Sequence, residues 1–193
     1  MHPACRLAYA RDVTAYVVLL RGINVGGKNP VPMARLREVL GELGYEDVVT
    51  YIASGNVILR SDHKPDRIKR EIEQALPTAF KLHTENLAVH VLTATELQAV
   101  VKKRPKGFGD EPGTYHSDAI FLMGITADDA MAAFDPREGV DRVWPGDGVI
   151  YSQRLSAQRT KSRLNKVMSS PLYKSMTIRN WATTTKLAEL ASD

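Results

Sequence analysis

The chain is predicted to be an α+β protein made of two tandem ferredoxin-like halves, each βαββαβ plus a helix, packed together. Three observations point to this. Apolar residues alternate with period 2 in some segments and recur at about 3.6 in others. The same order of elements occurs twice, on either side of a connection rich in Pro and Gly. The chain has 193 residues, 44% of them apolar, which is enough for one or two cores.

The elements read in order as follows. Ala15–Arg21 is an apolar strand that breaks into a glycine-rich loop. Pro32–Leu43 is a helix with Met33, Leu36, Val39, Leu40 and Leu43 on one face, and Gly44 stands where a C′ glycine belongs. Asp47–Ile52 and Val57–Arg60 are strands joined by the hairpin turn Ser54-Gly55-Asn56. Pro65–Phe80 is a helix with an Ile68, Ile72, Ala75 and Leu76 stripe. Leu87–Leu92 alternates as a strand, and Thr93 or Thr95 opens a helix running to Lys103.

The pattern then restarts. Ser117–Met123 is a strand, and Thr126–Phe134 is a helix that Thr126 can cap, with Asp128 and Asp129 in its first turn. Val140–Val143 and Val149–Ser152 flank the turn Pro145-Gly146-Asp147-Gly148. Ser162–Met168 is a short helix, Ser175–Ile178 is extended, and Asn180–Leu190 is the last helix. The expected organisation is a flexible leader at 1–14, a half at 15–103, a linker at 104–116 and a half at 117–193. The two halves share element order more than residues.

Composition narrows the function classes. Nothing reaches the run of ~18 apolar residues that spans a bilayer. The leader has no continuous apolar stretch of the signal-peptide kind. Cys5 is the only cysteine, which excludes intramolecular disulfides and thiolate metal clusters. A cytoplasmic protein is expected. The net charge of +4 is unevenly distributed. Between Tyr151 and Lys186 there are eight Lys or Arg and no Asp or Glu, so the remainder is net negative. Such a segment either attracts phosphates or polyanions, or is a solvated face balanced by acids from elsewhere.

Three polar motifs sit at element boundaries. The first, Arg21-Gly22-Ile23-Asn24-Val25-Gly26-Gly27-Lys28, is a cationic glycine-rich loop between strand and helix, where backbone N–H groups can meet an anion. It nearly fits the Walker A pattern, but Asn29 replaces the hydroxyl that binds magnesium, and Pro30 and Pro32 remove amide donors. The bland alternative is a tight turn with glycines at positive φ. The second motif is Ser54-Gly55-Asn56, for which turn chemistry alone is a sufficient reason. The third is Arg179-Asn180-Trp181 with Lys186 on the same helix. Asn180 is a good N-cap and Trp181 a natural core anchor between the halves. Arg179 has no local acid, so it reaches across the fold or meets a ligand. The five histidines show no metal-ligand spacing, and neither a nucleophile elbow nor a placed cysteine is present.

These motifs, together with Thr177-Ile178 before the third, Lys186-Leu187 within it and Tyr51-Ile52-Ala53 before the turn, resemble domain-of-unknown-function family 1697. The likeness runs from about Tyr16 to Leu190, with Ala53 where the family usually has Gln. The resemblance implies a fold similar to two ferredoxin-like halves and implies no activity. The expected function is binding of a phosphate-bearing ligand, a nucleotide or nucleic acid. Arg21, Asn24, Gly26, Gly27 and Lys28 would form the anion cradle, with Lys161, Arg163, Arg179 and Lys186 adding charge. Ser54, Asn56, Asn180 and Trp181 complete the candidate set. No metal and no cofactor is expected, and the strands carry no RNA-binding aromatic run. The alternatives are an enzyme acting on a small phosphorylated or acyl substrate, and a protein–protein module whose motifs hold the halves together.

Overall fold

The computed structural model describes residues 13–83 and 87–192. Most of the leader expected at 1–14 therefore lies outside the described residues. The fold is α+β, with two four-stranded antiparallel sheets. The first contains β1 (Thr14–Arg21), β2 (Glu46–Tyr51), β3 (Asn56–Ser61) and β4 (Ala88–Thr93), in the order β2-β3-β1-β4. The second contains β5 (Tyr115–Leu122), β6 (Asp141–Pro145), β7 (Val149–Leu155) and β8 (Met176–Asn180), in the order β6-β7-β5-β8. The helices are α1 (Met33–Glu42), α2 (Pro65–Phe80), α3 (Ala94–Lys102), α4 (Ala127–Met131) and α5 (Trp181–Leu190).

Strand alternation distributes the core. On β1, Tyr16, Val18 and Leu20 pack with Leu36 and Leu40 of α1 and Ile68, Ile72 and Leu76 of α2. Val17 and Leu19 project from the other face into a second cluster. That cluster also takes Ala119 and Phe121 from β5, Leu97 from α3 and Leu187 from α5, so both sheets share it. Phe108 is its aromatic centre, lying edge-on to Tyr151 at 5.2 Å and Trp181 at 5.0 Å between ring centroids. The Tyr151 hydroxyl donates to the Val100 carbonyl at 2.7 Å, which ties β7 to α3. The segment expected as a linker thus places a fully buried aromatic in the shared core. Its last two residues, Tyr115 and His116, belong to β5.

Local chemistry sets the helix ends. Thr93 and Glu96 form a reciprocal capping box at α3, as do Thr126 and Asp129 at α4. The helix expected at Thr126–Phe134 ends at Met131. The helix expected at Ser162–Met168 is a 3₁₀ turn instead, Leu164–Ser169, flanked by two more at Ser156–Lys161 and Pro171–Ser175. Serine hydroxyls explain the breaks. Ser162 Oγ accepts from the Leu164 amide and Ser170 Oγ from the Leu172 amide, diverting donors from an α-helical ladder.

Candidate functional site

The loop between β1 and α1 makes an unusual number of left-handed turns. Gly22, Asn24, Gly26, Gly27 and Asn29 all have positive φ. Gly26 and Gly27 lie between Val25 and Lys28, which bridge through a Lys28 N–H bond to the Val25 carbonyl at 3.0 Å. Two left-handed central residues are what a type I′ turn requires, and glycine adopts them without strain. Open space surrounds the position where a Cβ would stand on either glycine.

The two asparagines hold the loop. Asn24 Oδ1 accepts from the Val31 amide at 2.7 Å, and Nδ2 donates to the Val31 and Ala53 carbonyls, both at 2.9 Å. Asn24 thus pins the loop to the hairpin turn of the second motif. Both its amide hydrogens are engaged, leaving none for a ligand. Asn29 is buried and does the same work toward α2. It donates to the Gly22 carbonyl at 2.7 Å and the His83 carbonyl at 3.0 Å, and accepts from the His83 amide at 2.9 Å. Asn29 therefore acts as a staple at the position where a P-loop would place its hydroxyl. The sequence reading missed this role, although the residue stood at the end of the motif.

The second and third motifs meet across the seam between the sheets. Asn56 is fully buried; its Nδ2 donates to Ser54 Oγ at 2.8 Å and its Oδ1 accepts from Arg179 Nε at 2.5 Å. Gly55 has φ +76, and a Cβ there would stand 2.8 Å from the Leu20 carbonyl oxygen. Only glycine fits this approach of the hairpin to β1. Arg179 Nη2 reaches the Leu20 carbonyl at 2.9 Å, so the arginine without a local acid crosses the fold. Asn180 caps α5 by accepting from the Thr183 amide at 2.7 Å, and Trp181 is core. Arg21 also bridges the halves, with Nη1 donating to the Tyr173 carbonyl at 2.6 Å and its guanidinium 5.3 Å from the Tyr173 ring centroid.

A cleft of about 990 Å³ opens beside these contacts. Arg21, Lys28, Lys81 and His83 line it, and among the described residues no Asp or Glu does. Lys28 is exposed at the end of the glycine turn, with no ion pair among the described residues. Lys81 is the left-handed C-cap of α2, which turns the chain toward the loop. Neither Lys81 nor His83 was legible as a site residue, because both become neighbours of Lys28 only through the Asn29–His83 staple.

Of the basic segment of the second sheet, Tyr173 lines this cleft, but none of the segment's eight cations is among its described lining residues. Arg163 and Lys166 both pair with Asp135, at 3.1 and 3.2 Å, and Lys186 pairs with Glu189 at 2.6 Å. Lys161 is exposed and does not line the cleft. Three of the eight cations, Arg163, Lys166 and Lys186, therefore have acidic partners. No described helix is long and apolar enough to cross a membrane.

The family described as protein of unknown function (DUF1697) matches residues 13–151. The chain belongs to that family. The match takes in the loop and hairpin motifs and stops before Arg179-Asn180-Trp181. The conserved bacterial protein SP0830 from Streptococcus pneumoniae is similar in structure, with a TM-score of 0.75 and 28% sequence identity over 93% of this chain and 99% of that one. The likeness to it extends over both sheets. No curated protein matches the chain.

Proposed function

We propose that the cleft beside the β1–α1 loop binds a phosphate-bearing small molecule, a nucleotide being the natural example. One observation carries the reading. Arg21, Lys28, Lys81 and His83 converge on one concave surface with no acid among the described lining residues. Such a surface raises the local concentration of an anion and gives it charged donors. The exposed glycine turn adds backbone that a phosphate can approach closely. A nucleic acid fits less well, since Arg163, Lys166 and Lys186 have acidic partners and do not line the cleft.

The reading divides the motif residues into two groups. Lys28 and the glycine turn face the ligand. Asn24, Asn56, Arg179, Asn180 and Trp181 hold the loop, the hairpin and the second half in place. The proposal of a structural module is thereby absorbed as the scaffold of the cleft. We also read each half as ferredoxin-like. The order β2-β3-β1-β4 is that of a βαββαβ unit, and β6-β7-β5-β8 repeats it with 3₁₀ turns in place of the second helix.

Thermal melts test the binding. Phosphate or ADP at about a hundred times its Kd would stabilise the folded chain by about 2.7 kcal/mol. The double variant Lys28→Ala/Lys81→Ala is expected to lose that stabilisation while melting close to the parent when no anion is added. An unchanged melt of the parent at high phosphate and ADP would remove the proposal.

A further inference from the structure

A second lobe, a cavity of about 460 Å³, adjoins the cleft at Arg21. The lobes share Arg21, Gly22, Val25 and Tyr173, and the second adds Ser54, Thr177 and Arg179. It holds a charge that no carboxylate among the described residues neutralises. Arg179 is only 9% exposed, and among the described residues its acceptors are one side-chain amide, one hydroxyl and three backbone carbonyls, with no carboxylate. Burial pushes its pKa down to about 10, so it remains cationic at neutral pH. A buried cation without an anion is costly, and proteins ordinarily pair such a group.

Arg179 does not itself present a free donor. Nε is given to Asn56, Nη1 to Thr177 Oγ1 and the Ile178 carbonyl, and Nη2 to the Leu20 and Gly55 carbonyls. It acts on two hydroxyls instead. Thr177 Oγ1 accepts from Arg179 directly, at 3.1 Å. Ser54 Oγ accepts from Asn56 Nδ2, and Asn56 Oδ1 accepts from Arg179. Each hydroxyl therefore has an acceptor site filled and its own O–H left to donate. Hydrogen bonds chained from a buried cation polarise one another, which makes those O–H groups better donors to an anion. Arg21, which lines both lobes, spends Nη1 on the Tyr173 and Met176 carbonyls, with no other hydrogen bond among the described residues.

We propose that this lobe is a second anion subsite, built from the Ser54 and Thr177 hydroxyls over Arg179. The ligand of the cleft is then a small molecule carrying two or more linked phosphates, held in both lobes and straddling Arg21. This inference rests on the phosphate reading of the first lobe. It goes further in fixing the class of ligand and in giving Ser54 and Thr177 a binding role.

Calorimetric titration of the full chain with orthophosphate, pyrophosphate and tripolyphosphate, at fixed ionic strength, tests it. The key variant is Ser54→Ala/Thr177→Val, which removes two hydroxyls and leaves the charge of the protein unaltered. In the parent, tripolyphosphate is expected to bind at least about tenfold more tightly than orthophosphate, and the double variant is expected to reduce that ratio about tenfold. Thr177 is buried. If its replacement prevents folding, the exposed Ser54→Ala alone serves, with an expected drop in the ratio of about threefold. A parent that binds all three anions equally overturns the second subsite and leaves the first. A ratio that survives Ser54→Ala and the double variant shows preference by ligand charge alone and also overturns it. Absence of binding by all three overturns the reading of the first lobe and this inference with it.

Discussion

Replacing Asn24 by alanine should unfold the loop that forms one wall of the cleft, and the size of the effect follows from its contacts. Asn24 serves three backbone groups: the Val31 amide, the Val31 carbonyl and the Ala53 carbonyl. Ala53 is exposed, so water replaces that bond at little cost. Val31 is only 3% exposed, and leaving its amide unsatisfied costs about 1–3 kcal/mol. Alanine must also hold φ +53, which adds about 1–2 kcal/mol. The total is about 2–5 kcal/mol, or a fall in Tm of roughly 4–20 °C for a chain of this size. Asn24→Gly separates the two parts, because glycine removes the backbone strain and leaves only the lost bonds. It should therefore be more stable than Asn24→Ala by about 1–2 kcal/mol. Urea denaturation of both variants, beside an exposed control such as Lys28→Ala that stays within about 0.5 kcal/mol of the parent, supplies the assay. Asn24→Ala matching that control would refute the assignment of Asn24 as the loop's staple.

Two further outcomes follow from the same geometry. Gly55→Ala should destabilise by more than about 2 kcal/mol, since a Cβ at φ +76 meets the Leu20 carbonyl at 2.8 Å; a melt within a degree of the parent would contradict that close approach. The third outcome concerns pH. Burial, aided by the charge of Lys69 and Arg179 and opposed by Glu96, pushes the His90 imidazole down to about 4. Between pH 6.5 and 4 the unfolded chain binds the proton that folded His90 refuses, so stability falls as pH falls. About 2 kcal/mol should be lost from this group between pH 7 and pH 5, and His90→Gln should flatten the decline in the urea midpoint. An equally steep decline in the variant would show that the acid sensitivity lies elsewhere.

The strands and helices with clean periodicity were legible in the sequence. Pro65–Phe80 has the expected ends, because Pro65 suits the first helical turn and the Ile68, Ile72 and Leu76 stripe fixes the face. The two sets of four strands were legible for the same reason. The 3₁₀ region was not, since serine side chains compete with the backbone in a way that apolar periodicity does not register. At the site, the glycine turn and Lys28 were visible as a motif. Lys81 and His83 were invisible, because their position depends on Asn29 bonding to His83, more than fifty residues away. Arg179 posed a question in the sequence, a cation without an acid, and its partners Leu20 and Asn56 emerge only when the two sheets meet. The basic run from Tyr151 to Lys186 shows the converse, since Arg163, Lys166 and Lys186 meet acids of the fold instead of lining the cleft.

The most direct test of the cleft is amide chemical-shift mapping of the folded chain during titration with orthophosphate. The account predicts saturable shifts confined to the Gly22–Asn29 loop and the Lys81–His83 corner, the elements that line the cationic cleft, and their loss in Lys28→Ala/Lys81→Ala. Shifts centred on the exposed lysines and arginines of residues 159–166, or spread without saturation over the surface, would contradict it.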